Sequence, residues 1–577
     1  MNPKETAQPP LQAANGAEAL IRMLQGYGVT HVFGVCGDTS LPYYDALYRL
    51  EHGVEHVLAR DERSAAYMAD AYARVTGRVG VCEGPSGGGA TYLLPGLVEA
   101  NESSVPVLGF TSDVPVSSRG RYPLTELDQQ ALYAPLTKWN ATIDTAAQVG
   151  DAVRAAFRAM TTGRPGAAHL CVPFDVQKQP VDASLLWAQA EHGRWPNWRS
   201  APDAREVERA ARALLAARQV VFVCGGGVIS AGGCDELARL ALLLDAPVCT
   251  TVSGKGAVAD DFVLSAGVVG SNGGVLATRE VIAAADLVVF VGCRAGSTST
   301  EHWRFPAQGT RVIHLDVDAF AISTSYPTEV ALVGDARLSL AALLELVEPE
   351  RGASAPGAKP DARGRRLVEV AQAAKRAAFA PLAASDERPI RPERVVASLR
   401  RALPADAIVC ADPGTPCPYF SAYFDLPQAG RHFITNRAHG ALGFAMPAAL
   451  GAWFGRPSSK CVAVMGDGSF GFVAGELETV LRCRAPLLLV VLSNASFGWI
   501  KASQRASYGK RYYSVDFTPT DHAAIAAAYG MASWRVEDPA RLDQVLREAV
   551  GHAGPALVDI VTQPLELAAA PVSQWMG

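Results

Sequence analysis

Residues 461–494 read CVAVMGDGSFGFVAGELETVLRCRAPLLLVVLSN and decide the fold. A first apolar run ends at Gly466-Asp467-Gly468, a stretch with helical spacing follows, and a second apolar run ends at Ser493-Asn494. Short apolar runs that alternate with helical segments are typical of buried parallel strands joined by helices. The polar residues that follow both predicted strands therefore lie at the carboxyl edge of a parallel sheet.

Ligands bind at this edge in open parallel sheets, and a helix beginning near Ser469 would offer free backbone N–H groups to an anion such as a diphosphate. Mg²⁺ prefers carboxylate, amide and carbonyl oxygens as ligands. Asp467 and Asn494 supply oxygens of these kinds. A glycine turn followed by an asparagine-capped loop is the alternative, but the strand, helix and spacing together favour a binding site.

The same alternation extends outward in both directions. It occurs in the first third of the chain, in VVFVCGGGVISAGG (220–233) and DLVVFVGCRAG (286–296), and again around AIVCADPGT (407–415). The predicted fold class is therefore α/β, with three doubly wound parallel-sheet domains in series. The predicted ranges are a flexible N-terminus at 1–14, domains at 15–185, 200–348 and 390–565, a linker rich in Ala, Pro, Gly and Arg at 349–389, and a C-terminal tail at 566–577.

Composition excludes several classes of protein. The 577 residues are 49% hydrophobic and carry a net charge of -5, without the clustered basic face of a nucleic-acid-binding protein. No apolar run reaches 18 residues and the first residues lack a signal-peptide pattern, so we expect a cytoplasmic protein without a membrane partner. The 11 cysteines form no CxxC pair, which argues against a zinc site, and we expect most of them to be buried.

The segment from Gly466 to Asn494 resembles the diphosphate-binding signature of thiamine-diphosphate enzymes. The resemblance implies Mg²⁺ bound by Asp467, Asn494 and the carbonyl of Ser496, although the family often has two adjacent asparagines where this chain has Ser493-Asn494. The other residues expected to contact the cofactor are Gly414, Thr415, Gly466, Gly468, Ser469, Phe497 and Gly498.

Two further segments carry the resemblance. GYGVTHVFGVCGDTSLPYYDAL (26–47) and HVLARDERSAAYMADAYARVTG (56–77) resemble the pyrimidine-binding domain of the acetolactate synthase and pyruvate decarboxylase superfamily. This implies that Glu62 binds the aminopyrimidine ring, and burial of its carboxyl would let it hold a proton near neutral pH. HGALGFAMP (439–447) resembles the family segment in which a large aliphatic residue, here Leu442, bends the cofactor.

The residues leave the reaction open. Asp38 stands where acetolactate synthases carry glycine and pyruvate decarboxylases carry aspartate, so it is a candidate proton donor, and His439 is a candidate second acid or base. The adjacent histidine pair of those decarboxylases is absent. Relatives bind FAD, ADP or nothing in the central domain, and Gly225-Gly226-Gly227 is weak evidence for a nucleotide, so we do not expect a required flavin.

The sequence therefore predicts a thiamine diphosphate- and Mg²⁺-dependent enzyme that decarboxylates a 2-oxo acid and ligates the product to a second carbonyl, as acetolactate synthase does. The alternatives are a lyase or acyltransferase for acyl-CoA or sulfonated substrates, for which Lys501, Arg505, Lys510 and Arg511 offer a weak basic cluster, and a decarboxylase that does not ligate. A non-catalytic regulator is disfavoured because Glu62, Asp467 and Asn494 are intact. The family resemblance implies a homodimer or homotetramer.

Overall fold

Three six-stranded parallel sheets organise the chain in a computed structural model that describes residues 13–352, 362–568 and 570–573. The first and third sheets have the orders β2-β1-β3-β4-β6-β5 and β14-β13-β15-β16-β18-β17, and the central sheet has the order β12-β11-β10-β7-β8-β9. The predicted fold class, three doubly wound α/β domains, is confirmed. Two compact units contain these sheets: residues 1–198 with 438–441 and 450–456, and residues 199–437 with 442–449 and 457–577.

The first unit contains the first sheet and its helices. Its strands are β1 (His31–Gly34), β2 (Glu55–Leu58), β3 (Gly80–Gly84), β4 (Val107–Asp113), β5 (Trp139–Thr142) and β6 (Ala168–Pro173). Its helices are α1 (Gly16–Gly26), α2 (Leu41–Arg49), α3 (Glu62–Thr76), α4 (Gly88–Tyr92), α5 (Leu94–Glu102), α6 (Gln129–Tyr133) and α7 (Val149–Thr161). Helix α3 begins where Asp61 accepts the N–H of Arg63 at 2.8 Å and ends at Gly77, whose φ of 67° is left-handed.

The central sheet belongs to the second unit. Its strands are β7 (Val220–Cys224), β8 (Val248–Thr250), β9 (Ser265–Val268), β10 (Leu287–Val291), β11 (Arg311–Asp316) and β12 (Val330–Val333). Its helices are α8 (Ala204–Ala216), α9 (Gly226–Ala231), α10 (Cys234–Leu244), α11 (Leu276–Ala283), α12 (Ser297–Thr300) and α13 (Ala336–Gly352). Strands β7 and β10 are buried along their whole length, as expected of parallel strands covered on both faces.

The third sheet also belongs to the second unit. Its strands are β13 (Ile408–Ala411), β14 (Phe433–Thr435), β15 (Cys461–Gly466), β16 (Leu488–Ser493), β17 (Ala532–Val536) and β18 (Ala556–Val561). The helices are α14 (Arg363–Ala383), α15 (Pro392–Ala402), α16 (Pro416–Tyr423), α17 (Ala445–Gly455), α18 (Asp467–Val473), α19 (Glu476–Arg482), α20 (Gly498–Ser507), α21 (His522–Ala528) and α22 (Pro539–Gly551).

The segment at 349–389, expected to be a linker, contains a long helix in the structure. Residues 363–383 form helix α14, which packs on α11 and α15 and buries Val368 and Ala371. Alanine and other good helix formers fill this stretch, and their helix propensity outweighs the Pro and Gly of the preceding residues. Residues 353–361, which carry most of that Pro and Gly, lie outside the described residues, as do residues 1–12, 569 and 574–577 of the two predicted termini.

The cysteines are mostly buried, as predicted: eight of the 11 are buried, two are half-buried and Cys36 is exposed. Among the described residues, no helix combines the length and the apolar character needed to cross a membrane.

Candidate active site

The carboxyl ends of β13 and β15 mark a topological switch point in the third sheet. These strands are neighbours, but the chain continues from β13 to β14 on one side and from β15 to β16 on the other. The loops that leave two such strands diverge and open a crevice between them, which is where open α/β sheets bind ligands. Gly414 and Thr415 follow β13, and Asp467 follows β15.

Asp467 organises the loop beyond the neighbouring strand. Its Oδ2 accepts the backbone N–H of Asn494 at 2.9 Å and that of Ala495 at 2.6 Å, and its Oδ1 accepts the N–H of Gly468 at 2.8 Å. Both loop amides point at one oxygen, and Ala495 in this loop has a left-handed φ of 54°, which is rare for a residue other than glycine. The structure thus brings Asp467 and Asn494 together, although 27 residues separate them.

Asn494 faces the loop that follows β13. Its Nδ2 lies 3.5 Å from Oγ1 of Thr415, and its Oδ1 accepts from the N–H and hydroxyl of Ser496 at 3.2 and 3.1 Å. Gly498 makes this approach possible, because a Cβ there would lie 2.9 Å from Oγ1 of Thr415 and 3.2 Å from Nδ2 of Asn494. Thr415, Asn494, Ser496 and Gly498 therefore form one cluster beside Asp467.

The oxygen atoms of this cluster fit a hard divalent cation. A carboxylate, an amide and a backbone carbonyl are ligands that Mg²⁺ accepts, with phosphate oxygens and water completing its shell. Burial raises the pKa of Asp467, against the N–H groups of Asn494, Gly468 and Ala495, which lower it. A cation would favour the ionised carboxylate. Among the described residues, no three His, Cys, Asp or Glu side chains group as metal ligands, so the cluster does not match a zinc-type site.

A cavity of about 600 Å³ opens beside Asp467. Its walls combine polar residues, Asp467, Ser493 and Asn494, with the rings of Phe470, Phe497 and Phe517. Phe497 and Phe517 meet edge to face at 4.5 Å, and Gly468 lies under them, since a Cβ there would be 2.9 Å from the Phe497 ring. The volume is within the range of small-molecule and cofactor sites.

Asp412 is a buried residue of this site that the sequence did not reveal. Its Oδ1 accepts the N–H groups of Phe444 and Ala445 at 2.8 and 3.2 Å, which fixes the start of α17 and the preceding Leu442 and Gly443. Burial raises the pKa of Asp412 to about 7. A Cβ at Gly443 would lie 2.9 Å from Val473 of α18. Asp412 thereby holds the Leu442 segment beside the helix that follows Asp467.

A buried polar network lies behind Asn494. The hydroxyl of Ser493 hydrogen-bonds to Asp559 and lies 3.0 Å from Nδ1 of His522. Asp559 also accepts the N–H of His522 at 3.0 Å and pairs with Arg535 at 2.7 Å. The partners of Ser493 tie the end of β16 to α21, β17 and β18.

In the first unit, Glu62 begins α3 directly after β2, with 8% of its surface exposed. Its side chain packs on two glycines, since a Cβ at Gly84 would lie 3.2 Å from its Cγ and a Cβ at Gly89 would lie 3.0 Å from its Oε1. Burial raises the pKa of Glu62, as expected of a carboxyl that exchanges a proton near neutral pH.

Asp38 is exposed in the loop that follows β1, at the same carboxyl edge as Glu62. The next residue, Thr39, anchors this loop to the ends of β3 and β4 through the hydroxyls of Ser86 and Ser112, at 3.1 and 2.8 Å. Asp38 is therefore held at the edge where Glu62 emerges.

His439 is not brought to Glu62 within the first unit. Its backbone N–H donates to the carboxylate of Glu99 at 2.7 Å. Glu99 in turn pairs at 3.2 Å with Arg74, which lies about three turns along α3 from Glu62. About 18 Å of helix separates the two ends. His439 is an exposed residue, and the role of its side chain as an acid or base stays a prediction.

Comparison with known protein families identifies the family to which the chain belongs and the cofactor of that family. Residues 14–132 match the N-terminal thiamine pyrophosphate-binding domain of thiamine pyrophosphate enzymes, residues 207–343 their central domain, and residues 412–560 their C-terminal thiamine pyrophosphate-binding domain. The chain belongs to the thiamine diphosphate enzymes. It is therefore a carboligase or decarboxylase that uses this cofactor, as the sequence predicted.

Relatives of this thiamine diphosphate enzyme align over nearly its whole length. It is 32% identical to the probable acetolactate synthase large subunit of Methanococcus aeolicus, over 95% of this chain and 92% of the relative. It is 33% identical to the corresponding protein of Methanocaldococcus jannaschii, over 96% and 92%. It is 35% identical to the probable 2-ketoarginine decarboxylase AruI of Pseudomonas aeruginosa, over 96% and 94%.

The glycine triplet of the central domain serves close packing between loops. A Cβ at Gly225 would lie 2.1 Å from the carbonyl oxygen of Gly292, and a Cβ at Gly227 would lie 2.7 Å from its Cα. The guanidinium of Arg431, from the segment before β14, donates to the carbonyls of Ser253 and Gly226 at 2.9 and 3.3 Å. These contacts explain the glycines without a nucleotide, and whether FAD or ADP binds here stays a prediction.

The basic cluster considered for an acyl-CoA tail is partly neutralised. Lys501 pairs with Asp516 at 2.7 Å and with Glu566 at 3.1 Å. Arg505 donates to the carbonyl of Glu566. The cations engaged in these contacts are less available to a polyphosphate, which weakens the acyl-CoA alternative for this thiamine diphosphate enzyme.

Proposed function

We propose that the protein decarboxylates a 2-oxo acid and ligates the product to a second carbonyl compound, with thiamine diphosphate held through Mg²⁺. The observation that carries the proposal is the convergence of Asp467, Asn494, Thr415 and Gly498 at the switch point of the third sheet. Similarity to two probable acetolactate synthase large subunits supports the ligation step.

In this proposal Asp467, Asn494 and the carbonyl of Ser496 hold the metal, and Phe497 and Leu442 shape the cofactor pocket. When bound, thiamine diphosphate supplies a carbon nucleophile and an electron sink for the bond that breaks. Glu62 holds the proton that the pyrimidine ring needs, because its burial favours the protonated carboxyl. Asp38 and His439 would move protons later in the reaction.

Two subunits would build each site, with the pyrimidine-binding domain of one facing the diphosphate-binding domain of the other, in a homodimer or homotetramer. Light scattering coupled to size-exclusion chromatography at micromolar concentration, with and without cofactor, measures the molar mass and therefore the number of subunits. A monomer in the active preparation would contradict the proposed assembly.

A second candidate function, decarboxylation without ligation, is favoured by the 35% identity to a probable 2-ketoarginine decarboxylase. The two candidates differ in the product that follows carbon dioxide release. The test supplies a panel of 2-oxo acids, including pyruvate and 2-oxo acids with cationic side chains, with and without a second carbonyl compound, and analyses products by mass spectrometry. A ligated hydroxy ketone supports the first candidate, an aldehyde alone supports the second, and no release from any acid contradicts both.

A further inference from the structure

Strand β3 carries a buried carboxyl group that the proposed function does not use. Glu83 is the fourth residue of β3, has 1% of its surface exposed, and follows the buried Val81 and Cys82. The interior of a parallel sheet is normally apolar, and burying a carboxyl group there is unfavourable unless other groups bind it. Its neighbours therefore explain why it is tolerated.

Two side chains from neighbouring elements hold Glu83. Its Oε1 accepts from the hydroxyl of Tyr44 on α2 and lies 3.1 Å from Nε2 of His56 on β2. The Tyr44 hydroxyl also lies 3.0 Å from the same nitrogen of His56, so the three side chains close a triangle. Gly34, the partner of Glu83 across β1 and β3, makes room for the carboxyl, because a Cβ there would lie 2.2 Å from Oε1.

The Tyr44–His56–Glu83 triangle adjoins Glu62. Gly84 directly follows Glu83, and it is one of the two glycines against which the Glu62 side chain packs. Oε2 of Glu83 is buried and has no hydrogen-bond partner among the described residues, so the hydrogen bonds that stabilise a negative charge on this carboxyl group are made at Oε1. A charge on Glu83 therefore acts on Glu62 through low-dielectric protein rather than through water.

We propose that Glu83, held by Tyr44 and His56, is a positioning residue that sets how tightly Glu62 holds its proton. The inference rests on the proposed role of Glu62 toward the pyrimidine ring. Glu62 would hold or release a proton toward a bound pyrimidine ring, and this role involves no making or breaking of bonds between heavy atoms. The triangle would thus influence cofactor activation through Glu62, without contacting the substrate itself.

The direction in which the pKa of each carboxyl group shifts follows from its burial and from the charges and hydrogen bonds around it. Burial raises the pKa of Glu62, and the like charges of Asp61 and Glu83 raise it further. Burial also raises the pKa of Glu83, while hydrogen bonding and charge from His56 and the Tyr44 hydrogen bond lower it. Further titratable groups near the triangle and Glu62 include Tyr43, Cys36 and Cys82, and Arg63, which pairs with Asp61.

The decisive variant is Glu83→Gln, which removes the charge and keeps the shape. Glu62 then loses a like charge, so its pKa falls. Tyr44→Phe acts in the same direction more weakly, because Glu83 without the donor is more often protonated. The matched control is Tyr72→Phe, which deletes another tyrosine hydroxyl of the same unit, one that lies 2.9 Å from Oγ1 of Thr30.

Two measurements on the enzyme with bound thiamine diphosphate and Mg²⁺ need no knowledge of the substrate. The first is the pH profile of proton–deuterium exchange at C2 of the cofactor, followed by NMR after acid quenching. The second is proton uptake on cofactor binding, from calorimetry in buffers of different ionisation enthalpy. We expect Glu83→Gln to move the midpoint of the exchange profile to lower pH, to slow exchange at pH 7 by about threefold or more, and to change proton uptake.

Glu62→Gln separates this inference from the proposed function. If Glu62→Gln exchanges C2 hydrogen as fast as the wild type, the proposed role of Glu62 fails. If Glu62→Gln stops exchange while Glu83→Gln and Tyr44→Phe both behave like Tyr72→Phe, the role of Glu83 is overturned. If Glu83→Gln does not fold, Tyr44→Phe alone decides by the same criterion.

Discussion

Gly498→Ala tests whether the contact between the β13 and β16 loops positions the cofactor ligands. The added methyl group would lie 2.9 Å from Oγ1 of Thr415, 3.2 Å from Nδ2 of Asn494 and 3.2 Å from Cβ of Leu565. Carbon atoms do not approach that closely without strain, so Thr415 or Asn494 has to move by a few tenths of an ångström. Asn494 is a proposed Mg²⁺ ligand, and a displaced ligand weakens the bound state.

The expected magnitude follows from packing energies. Inserting a methyl group into a filled site costs about 1–3 kcal/mol. Part of this strain is present without cofactor and destabilises the free protein as well. If about half of it, about 0.5–1.5 kcal/mol, falls on the bound state alone, the affinity for thiamine diphosphate with Mg²⁺ decreases about 2- to 12-fold, because about 1.4 kcal/mol corresponds to one decade.

The assay is a calorimetric titration of metal-stripped protein with thiamine diphosphate at fixed Mg²⁺. Gly551→Ala is the matched control, since a Cβ at Gly551 of α22 meets no atom within 4 Å. Urea unfolding of both variants separates a loss of affinity from a loss of folded protein. Equal affinities for Gly498→Ala and Gly551→Ala would refute the contact between Thr415 and Asn494 as a constraint on the site.

Two further predictions concern stability. Because the pKa of Asp412 is raised to about 7 in the folded protein, the folded chain binds more protons than the unfolded chain between about pH 4 and 7, so this group makes stability fall with rising pH by up to about 4 kcal/mol. Urea unfolding at pH 5 and 8 should show a smaller decrease for Asp412→Asn than for the wild type, and an identical decrease would contradict the assignment. Asp559→Ala leaves Ser493, His522 and Arg535 without their shared partner and should lower the free energy of unfolding by about 2–4 kcal/mol. Glu537→Ala, which removes the exposed partner of the same arginine, should change it by less than about 1 kcal/mol, and similar losses for both variants would contradict the buried network.

The strands at the centres of the sheets could be predicted from the sequence, and the edge strands could not. Strands such as β16 are buried on both faces and read as continuous apolar runs. The edge strands β2 and β5, with sequences EHVL and WNAT, lack such runs because their residues are largely half-buried or exposed. Helix α14 was missed because the Pro and Gly before it dominated the composition of the segment.

Some residues of the candidate site could likewise be predicted from the sequence, and others could not. Asp467 and Asn494 could be found because a local strand-helix-strand pattern contains both. Asp412 could not, since Asp-Pro-Gly is typical of a turn and its partners Phe444 and Ala445 lie more than 30 residues away. The link from Ser493 to His522 and Asp559 depends on how three separate elements pack, which no local pattern encodes.

The most direct test of the account is carbon dioxide release from a panel of 2-oxo acids by metal-stripped protein, measured with thiamine diphosphate before and after Mg²⁺ is added. The account predicts release from at least one acid only when both are present, and loss of that release in Asp467→Asn, whose amide cannot supply the carboxylate charge to the metal. Release that is independent of Mg²⁺, or an Asp467→Asn variant as active as the wild type, would contradict it.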